Sequence, residues 1–196
     1  TAMRTWSAIR FPLICPPPAY KKRGAERLRK ELDFLKQNGV NNIRVLIGSQ
    51  DGTKMISGVM PVHPAMQTAK NNFSETILKG MDFLLQQLEQ RRMYAVFYFA
   101  NNWEWSGGFL QYLNWNNKIA DTTLAKKLGW DDYRDLVAPF YTCTECMDDY
   151  FAFVKKVLHR TSTITSKKYS ASAAVMAWEI ANEPRPMRPY AIPAYL

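Results

Sequence analysis

The chain has 196 residues, 47% of them hydrophobic and 13% aromatic, and 26 Lys and Arg against 17 Asp and Glu leave a net charge of +9. That length and apolar content supply a sizeable core and exclude a disordered polypeptide, and no run reaches the roughly 20 apolar residues a membrane-spanning helix needs. The basic excess would suit phosphate contacts, but Lys21-Lys22-Arg23, Arg27, Arg29 and Lys30 alternate with Glu26, Glu31 and Asp33. Such mixing marks a solvated helical face, so no nucleic-acid partner is expected.

In chain order, Trp6-Ser7-Ala8-Ile9 reads as a strand stub. Cys15-Pro16-Pro17-Pro18 lies in neither helix nor sheet, because proline supplies no backbone donor. Leu28, Leu32 and Leu35 share one face and predict a helix over 25–38, stopped by Gly39. Residues 42–48, Asn-Ile-Arg-Val-Leu-Ile-Gly, predict a buried strand. Arg44 inside it has two readings: a strand-edge residue facing solvent, or an arginine reaching a carboxylate within a site, since burial without a partner is costly.

Residues 49–72 read as a long loop, of the kind that binds or covers ligands; His63 within it has no partner motif and reads as surface. Ser74 is placed to cap a helix running to about Arg91, with Ile77, Leu78, Met81, Leu84, Leu85 and Leu88 inward. A second buried strand, 93–100, leads straight into Asn101-Asn102-Trp103-Glu104-Trp105-Ser106-Gly107-Gly108. A long segment over about 109–144 follows, then a helix carrying Tyr150, Phe151, Val154, Val157 and Leu158. The last strand is read as buried and ends in Asn182-Glu183-Pro184.

Strand–helix alternation means βαβ units and a parallel sheet. Long polar-aromatic loops follow the strands and short turns follow the helices, the asymmetry of a (β/α)8 TIM barrel. A doubly wound sheet is the rival, weakened because no glycine-rich phosphate turn follows any strand. A complete barrel takes about 250 residues. Residues 1–196 are therefore expected to be the N-terminal part of one catalytic domain, with only about the first four β/α units present.

Cys15, Cys143 and Cys146 make an odd count. The Cys143–Cys146 pair lacks the further ligands of a zinc site and follows a loop rather than opening a redox-type βα turn. It stands as two thiols or, in a secreted protein, as one local disulfide. No metal or cofactor is expected.

Two carboxylates stand out. Glu183 sits at a strand's carboxyl end beside Asn182, whose amide can donate to a hydroxyl. Partial burial there would raise its pKa toward that of a general acid, whereas the plainer reading is a strand-terminal glutamate in water. Glu104 lies between Trp103 and Trp105, aromatic faces suited to sugar rings and poorly placed for a core.

Together these runs resemble the endo-β-1,4-mannanases of glycoside hydrolase family 5. The likeness is carried by Asn42-Ile43-Arg44-Val45, by Asn101 to Trp115, and by Trp178-Glu179-Ile180-Ala181-Asn182-Glu183-Pro184-Arg185, and it covers about Gly24 to the C-terminus. The resemblance implies a retaining, endo-acting hydrolase of β-1,4-mannosidic linkages in a mannan-type polysaccharide, secreted to the cell exterior or periplasm. It makes Glu183 the acid/base, Asn182 the residue binding the sugar 2-hydroxyl, and Arg44 the support of the nucleophile. Trp103, Trp105, Asn102 and Glu104 fall on the substrate-lining loop, and Trp6 is the candidate first-strand aromatic. The family's nucleophile lies on its seventh strand, outside this chain. An inactive carbohydrate-binding remnant and a β-1,4-glucanase of the same family remain the alternatives.

Overall fold

The computed structural model describes residues 4–10, 22–51 and 54–195. Cys15 and the prolines after it lie outside them, as do the side chains of 4–10, Trp6 included. A four-stranded sheet runs in the order β1-β2-β5-β6: β1 (Arg4–Arg10), β2 (Val40–Leu46), β5 (Tyr94–Asn101) and β6 (Val175–Asn182). β1 pairs parallel with β2, Trp6 opposite Ile43, and β2 parallel with β5, Arg44 opposite Val96. The strand stub at Trp6 is thus a full strand.

Helix α1 (Lys22–Gln37) buries Leu28, Leu32 and Leu35, and Gly39 ends it at φ 79°. A Cβ at Gly39 would meet nothing within 4 Å, so the left-handed backbone alone calls for glycine there. Helix α2 (Glu75–Arg91) opens as its sequence predicts, the Ser74 side chain accepting from the Ile77 N–H at 3.4 Å. All six of its expected inward residues are buried.

Three features depart from expectation. The loop over 49–72 contains a short antiparallel pair, β3 (Gln67–Ala69) and β4 (Asn72–Phe73). The segment over 109–144 is largely helical: α3 (Gly108–Trp115), α4 (Asp121–Leu124) and α5 (Trp130–Val137) precede α6 (Thr144–Leu158). Finally, β6 is not a buried strand: Ile180 is 69% and Met176 48% exposed. It stands last in the sheet order, so only one of its edges has a strand neighbour among the described residues.

The chain divides into two compact units. The first comprises 1–47, 74–99 and 156–179, and its core is α1, α2 and the strand segments they cover. A buried cluster ties α2 to the chain beyond α6: Arg160 reaches Asp82 at 2.8 Å and Glu75 at 2.8 Å, and Thr163 and Tyr169 also donate to Asp82.

The second unit comprises 48–73, 100–155 and 180–196. Its core is aromatic, with Phe109 stacked on Phe140 at 4.0 Å and Tyr112 and Tyr150 edge-on to one another. Cys143 and Cys146 form a disulfide at the start of α6, which decides between the two readings of that pair.

Candidate active site

In the first unit, Arg44 is the arginine that reaches a carboxylate. Its Nε and Nη2 donate to Glu179 Oε2 at 2.9 and 2.5 Å, and its guanidinium lies 4.1 Å from the Tyr98 ring centroid. The fork geometry of arginine matches a carboxylate, and stacking on Tyr98 adds a second constraint. Trp178 packs its ring on Phe97 and Phe99, with centroids 5.4 and 5.2 Å away. Alternation along β6 places Trp178 and Glu179 on opposite faces, so one is anchored on aromatics while the other meets Arg44.

In the second unit, β6 ends at Asn182 and the chain turns at Glu183, whose φ is +48°. A non-glycine residue in that region carries roughly 1–3 kcal/mol of strain, and such residues concentrate at functional sites. Pro184 then takes the chain out of the strand. The Glu183 side chain is 51% exposed, more open than the partly buried carboxyl expected. Its Oε2 accepts from Trp103 Nε1 at 3.2 Å and from Arg185 Nη2 at 3.2 Å. Arg185 also lies over the Trp103 ring, 5.7 Å from its centroid.

Asn182 donates from Nδ2 to Asn101 Oδ1 at 3.1 Å, and its carbonyl accepts from the Asn102 N–H at 3.1 Å. The ends of β5 and β6 are thus tied together by side chain and backbone. Asn102, expected on the substrate wall, is fully buried; its carbonyl accepts the Tyr133 hydroxyl at 2.5 Å. Burial, then the charge of Glu104, push the Tyr133 phenol up, so Tyr133 remains a neutral donor.

Trp103, Glu104 and Trp105 are each half-buried, Trp103 in extended backbone just before a short turn, Glu104–Ser106, that carries the other two. The Trp105 carbonyl accepts from Val62 at 2.9 Å, and the Ser106 carbonyl from Gln50 at 2.8 Å. The turn is possible because Gly107 and Gly108 both have positive φ. A Cβ on Gly108 would run into the Asn101 carbonyl oxygen, and one on Gly107 into that of Gln50.

Glu179, Tyr98, Tyr133 and Arg185 were not among the sequence candidates. Arg185 was within reach, being two residues from Glu183 in the same motif. For the others each partner lies far along the chain, and no local spacing announces the pair.

Parallel strands alternating with helices, and polar and aromatic groups on the segments leaving the strand ends, define the (β/α) barrel class, and the described residues supply four strands of its sheet. A family profile described as GH family 5 beta-mannosidase-like matches residues 13–196. The chain belongs to that family.

It is similar to the glycoside hydrolase family 5 mannosidase from Rhizomucor miehei in complex with mannosyl-fructose. The TM-score is 0.80 at 25% identity, covering 93% of this chain and 44% of that one. The endo-1,4-beta-mannanase of the same organism shares the fold at TM-score 0.61. Among curated proteins, Mannan endo-1,4-beta-mannosidase 7 of Oryza sativa subsp. japonica is 32% identical over 121 residues, 62% of this chain and 29% of the relative. Putative mannan endo-1,4-beta-mannosidase 4 of Arabidopsis thaliana is 31% identical over 124 residues, covering 28% of its length. The chain therefore spans less than a third of the curated relatives it matches.

Proposed function

We propose that the protein hydrolyses β-1,4-mannosidic linkages within mannan-type polysaccharides, with retention of configuration and with Glu183 as the acid/base. The observation carrying this reading is the Glu183 carboxylate, turned out of the strand end at positive φ and held on one oxygen by Trp103 and Arg185. In the first step Glu183 gives its proton to the glycosidic oxygen as the anomeric C–O bond breaks. A second carboxylate, which we assign to a later strand, attacks the anomeric carbon to form a glycosyl-enzyme. Glu183 then takes a proton from the water that displaces that carboxylate.

Asn182, steadied by Asn101, binds the sugar 2-hydroxyl in this reading. Trp103 and Trp105 line the substrate path with Glu104 beside them, and Arg44, oriented by Glu179, supports the nucleophile. Asn102 serves from below, through its backbone. The Cys143–Cys146 disulfide supports secretion, since such bonds persist in oxidising compartments.

The test is release of reducing ends from soluble mannan by the full-length protein, with the anomer formed followed by NMR. Glu183→Gln should abolish turnover while mannan binding persists. Binding without turnover in the unsubstituted protein would instead leave a carbohydrate-binding remnant, and preferential cleavage of β-1,4-glucan would move the substrate class.

A second reading, action on short mannosides or chain ends, is favoured by the β-mannosidase-like family profile and the 0.80 similarity to the Rhizomucor mannosidase. The product distribution decides: early mixed oligosaccharides mark internal cleavage, and release of mannose alone marks end-cleavage.

A further inference from the structure

Asn72-Phe73-Ser74 is the one place in the 196 residues where an asparagine is followed two positions on by serine or threonine. With no proline between, that spacing is the acceptor sequence for N-linked glycans, which sit on surface segments of secreted proteins. The tripeptide is common, so the fold around it decides whether it can hold a bulky, hydrated sugar.

The triplet begins on β4, just past the two-residue turn Lys70-Asn71, with Asn72 opposite Ala69. Its neighbours are all engaged. Lys70 reaches the buried Asp149 at 3.1 Å and Asn116 at 2.7 Å. Asn71, at φ +57°, donates to the other Asp149 oxygen at 3.1 Å. Phe73 stacks on Phe153, centroids 5.9 Å apart, and Ser74 caps α2. Within 70–74, Asn72 alone has no side-chain partner, and it is exposed. Alternation along β4 turns it away from the Phe73 ring. A glycan on Asn72 Nδ2 therefore displaces nothing, whereas one on Asn71 would break the bond to Asp149.

Ser74 serves twice, at different times. Glycan transfer acts on the extended chain as it is translocated, when the Ser74 hydroxyl is still free. In the folded protein that oxygen accepts from the Ile77 N–H at 3.4 Å. The Cys143–Cys146 disulfide belongs to the same oxidising route.

We infer that Asn72 carries an N-linked oligosaccharide, added along a eukaryotic secretory pathway. The inference rests on the secreted reading given above. The donor is a polyprenyl-pyrophosphate oligosaccharide rooted in N-acetylglucosamine. Asn72 Nδ2 bonds to its anomeric carbon and gives up one proton to a base of the transferring enzyme. The bond from that carbon to the pyrophosphate oxygen breaks, and its electron pair leaves with the pyrophosphate.

The test is made on the full-length protein from its native source. Peptide-N-glycosidase treatment in heavy-oxygen water, followed by peptide mass mapping, should mark position 72. Variants secreted by a eukaryotic host supply the control. Asn72→Gln should lose the mass of one glycan, and so should Ser74→Asp, which keeps the helix cap but not the acceptor sequence. Ser74→Thr keeps both and should stay glycosylated. Because Asn72 touches none of the catalytic residues, kcat/KM of Asn72→Gln on mannan should be unchanged.

A secreted, disulfide-bonded protein with position 72 unmarked overturns the glycan and leaves secretion standing, as does an Asn72→Gln variant of unaltered mass in the sugar fraction. Recovery from inside the cell with Cys143 and Cys146 both alkylatable overturns the secreted reading and the glycan with it.

Discussion

The indole N–H of Trp103 donates to Oε2 of Glu183 at 3.2 Å, and Arg185 donates to the same oxygen from the other side of the motif. The carboxylate is more than half exposed, so its orientation comes from these two donors and not from enclosure. In the proposed reading Trp103 thereby has two separable parts, a ring on the substrate path and an N–H that orients the Glu183 carboxylate. Trp103→Phe keeps the first and removes the second. It should lower kcat about tenfold, the value of a hydrogen bond to a charged group, with KM nearly kept. Trp103→Ala should lower kcat and raise KM together. Steady-state kinetics on mannan separate the two, and identical behaviour of the variants would reduce Trp103 to a packing role.

Gly108 sets where that tryptophan stands. Its φ of +60° and the approach of the Asn101 and Trp103 carbonyl oxygens leave no space for a side chain. Gly108→Ala should cost about 1–3 kcal/mol of stability and lower turnover by displacing the turn. Glycine is required here by backbone contact, so a flexible polar residue should do no better than alanine. Thermal melts alongside mannan assays check both parts.

Asp82 provides a pH-dependent element in the first unit. Burial pushes its carboxyl up, but hydrogen bonds from Arg160, Tyr169 and Thr163 outweigh that and hold it below the ordinary value. The stability it contributes is fully present above the unfolded-state pKa of about 3.9 and is lost as pH falls through the lower folded-state value. Asp82→Asn should cost on the order of 3 kcal/mol near neutrality, because it leaves the buried Arg160 short of a partner. Its stability should also fall less steeply than that of the unsubstituted protein below pH 4. Urea unfolding from pH 2 to 7 reads both; parallel curves would remove Asp82 from the acid response.

The disulfide closes only a four-residue loop, Cys143 to Cys146. In the chain-entropy treatment a loop this short stabilises by about 2 kcal/mol. The Cys143→Ser, Cys146→Ser double variant should therefore melt roughly 4–8 °C lower while keeping most activity. Thiol alkylation followed by mass measurement confirms the bond beforehand.

Arg44 and Glu179 are joined by two donors on one carboxylate, and each side chain is partly exposed. A double-mutant cycle with Arg44→Met and Glu179→Gln should give a coupling of about 1 kcal/mol, the upper end for an accessible pair with good geometry. Coupling near zero would mean that Tyr98 alone holds the guanidinium.

Local chemistry made several elements legible. Leu28, Leu32 and Leu35 recur with the helical period, Ser74 caps the helix it precedes, and Gly39 supplies the one backbone conformation that its turn needs. The strands through Arg44 and through Phe97 read directly from their apolar runs. The helices within 109–144 were missed because loop-forming residues around Asn116, Asn117 and Gly129 interrupt the pattern into pieces of eight residues or fewer. The burial of β6 was misjudged because an apolar run reports what a strand would prefer to pack against, and only the sheet order reports which of its edges has a neighbour.

By itself, then, the sequence determined the alternation of strands and helices, the family, and the carboxylate at the end of β6, since each depends on residues adjacent in the chain. Tertiary structure alone decided that Arg44 meets Glu179, that Trp103 aims Glu183, that Asn102 turns inward, and that Trp130 stands exposed beside Trp103. Those pairings join residues 27 to 135 positions apart, and hydrogen bonds and ring contacts act over a few ångströms. Which partners come within that reach is set by packing, and no local pattern encodes it.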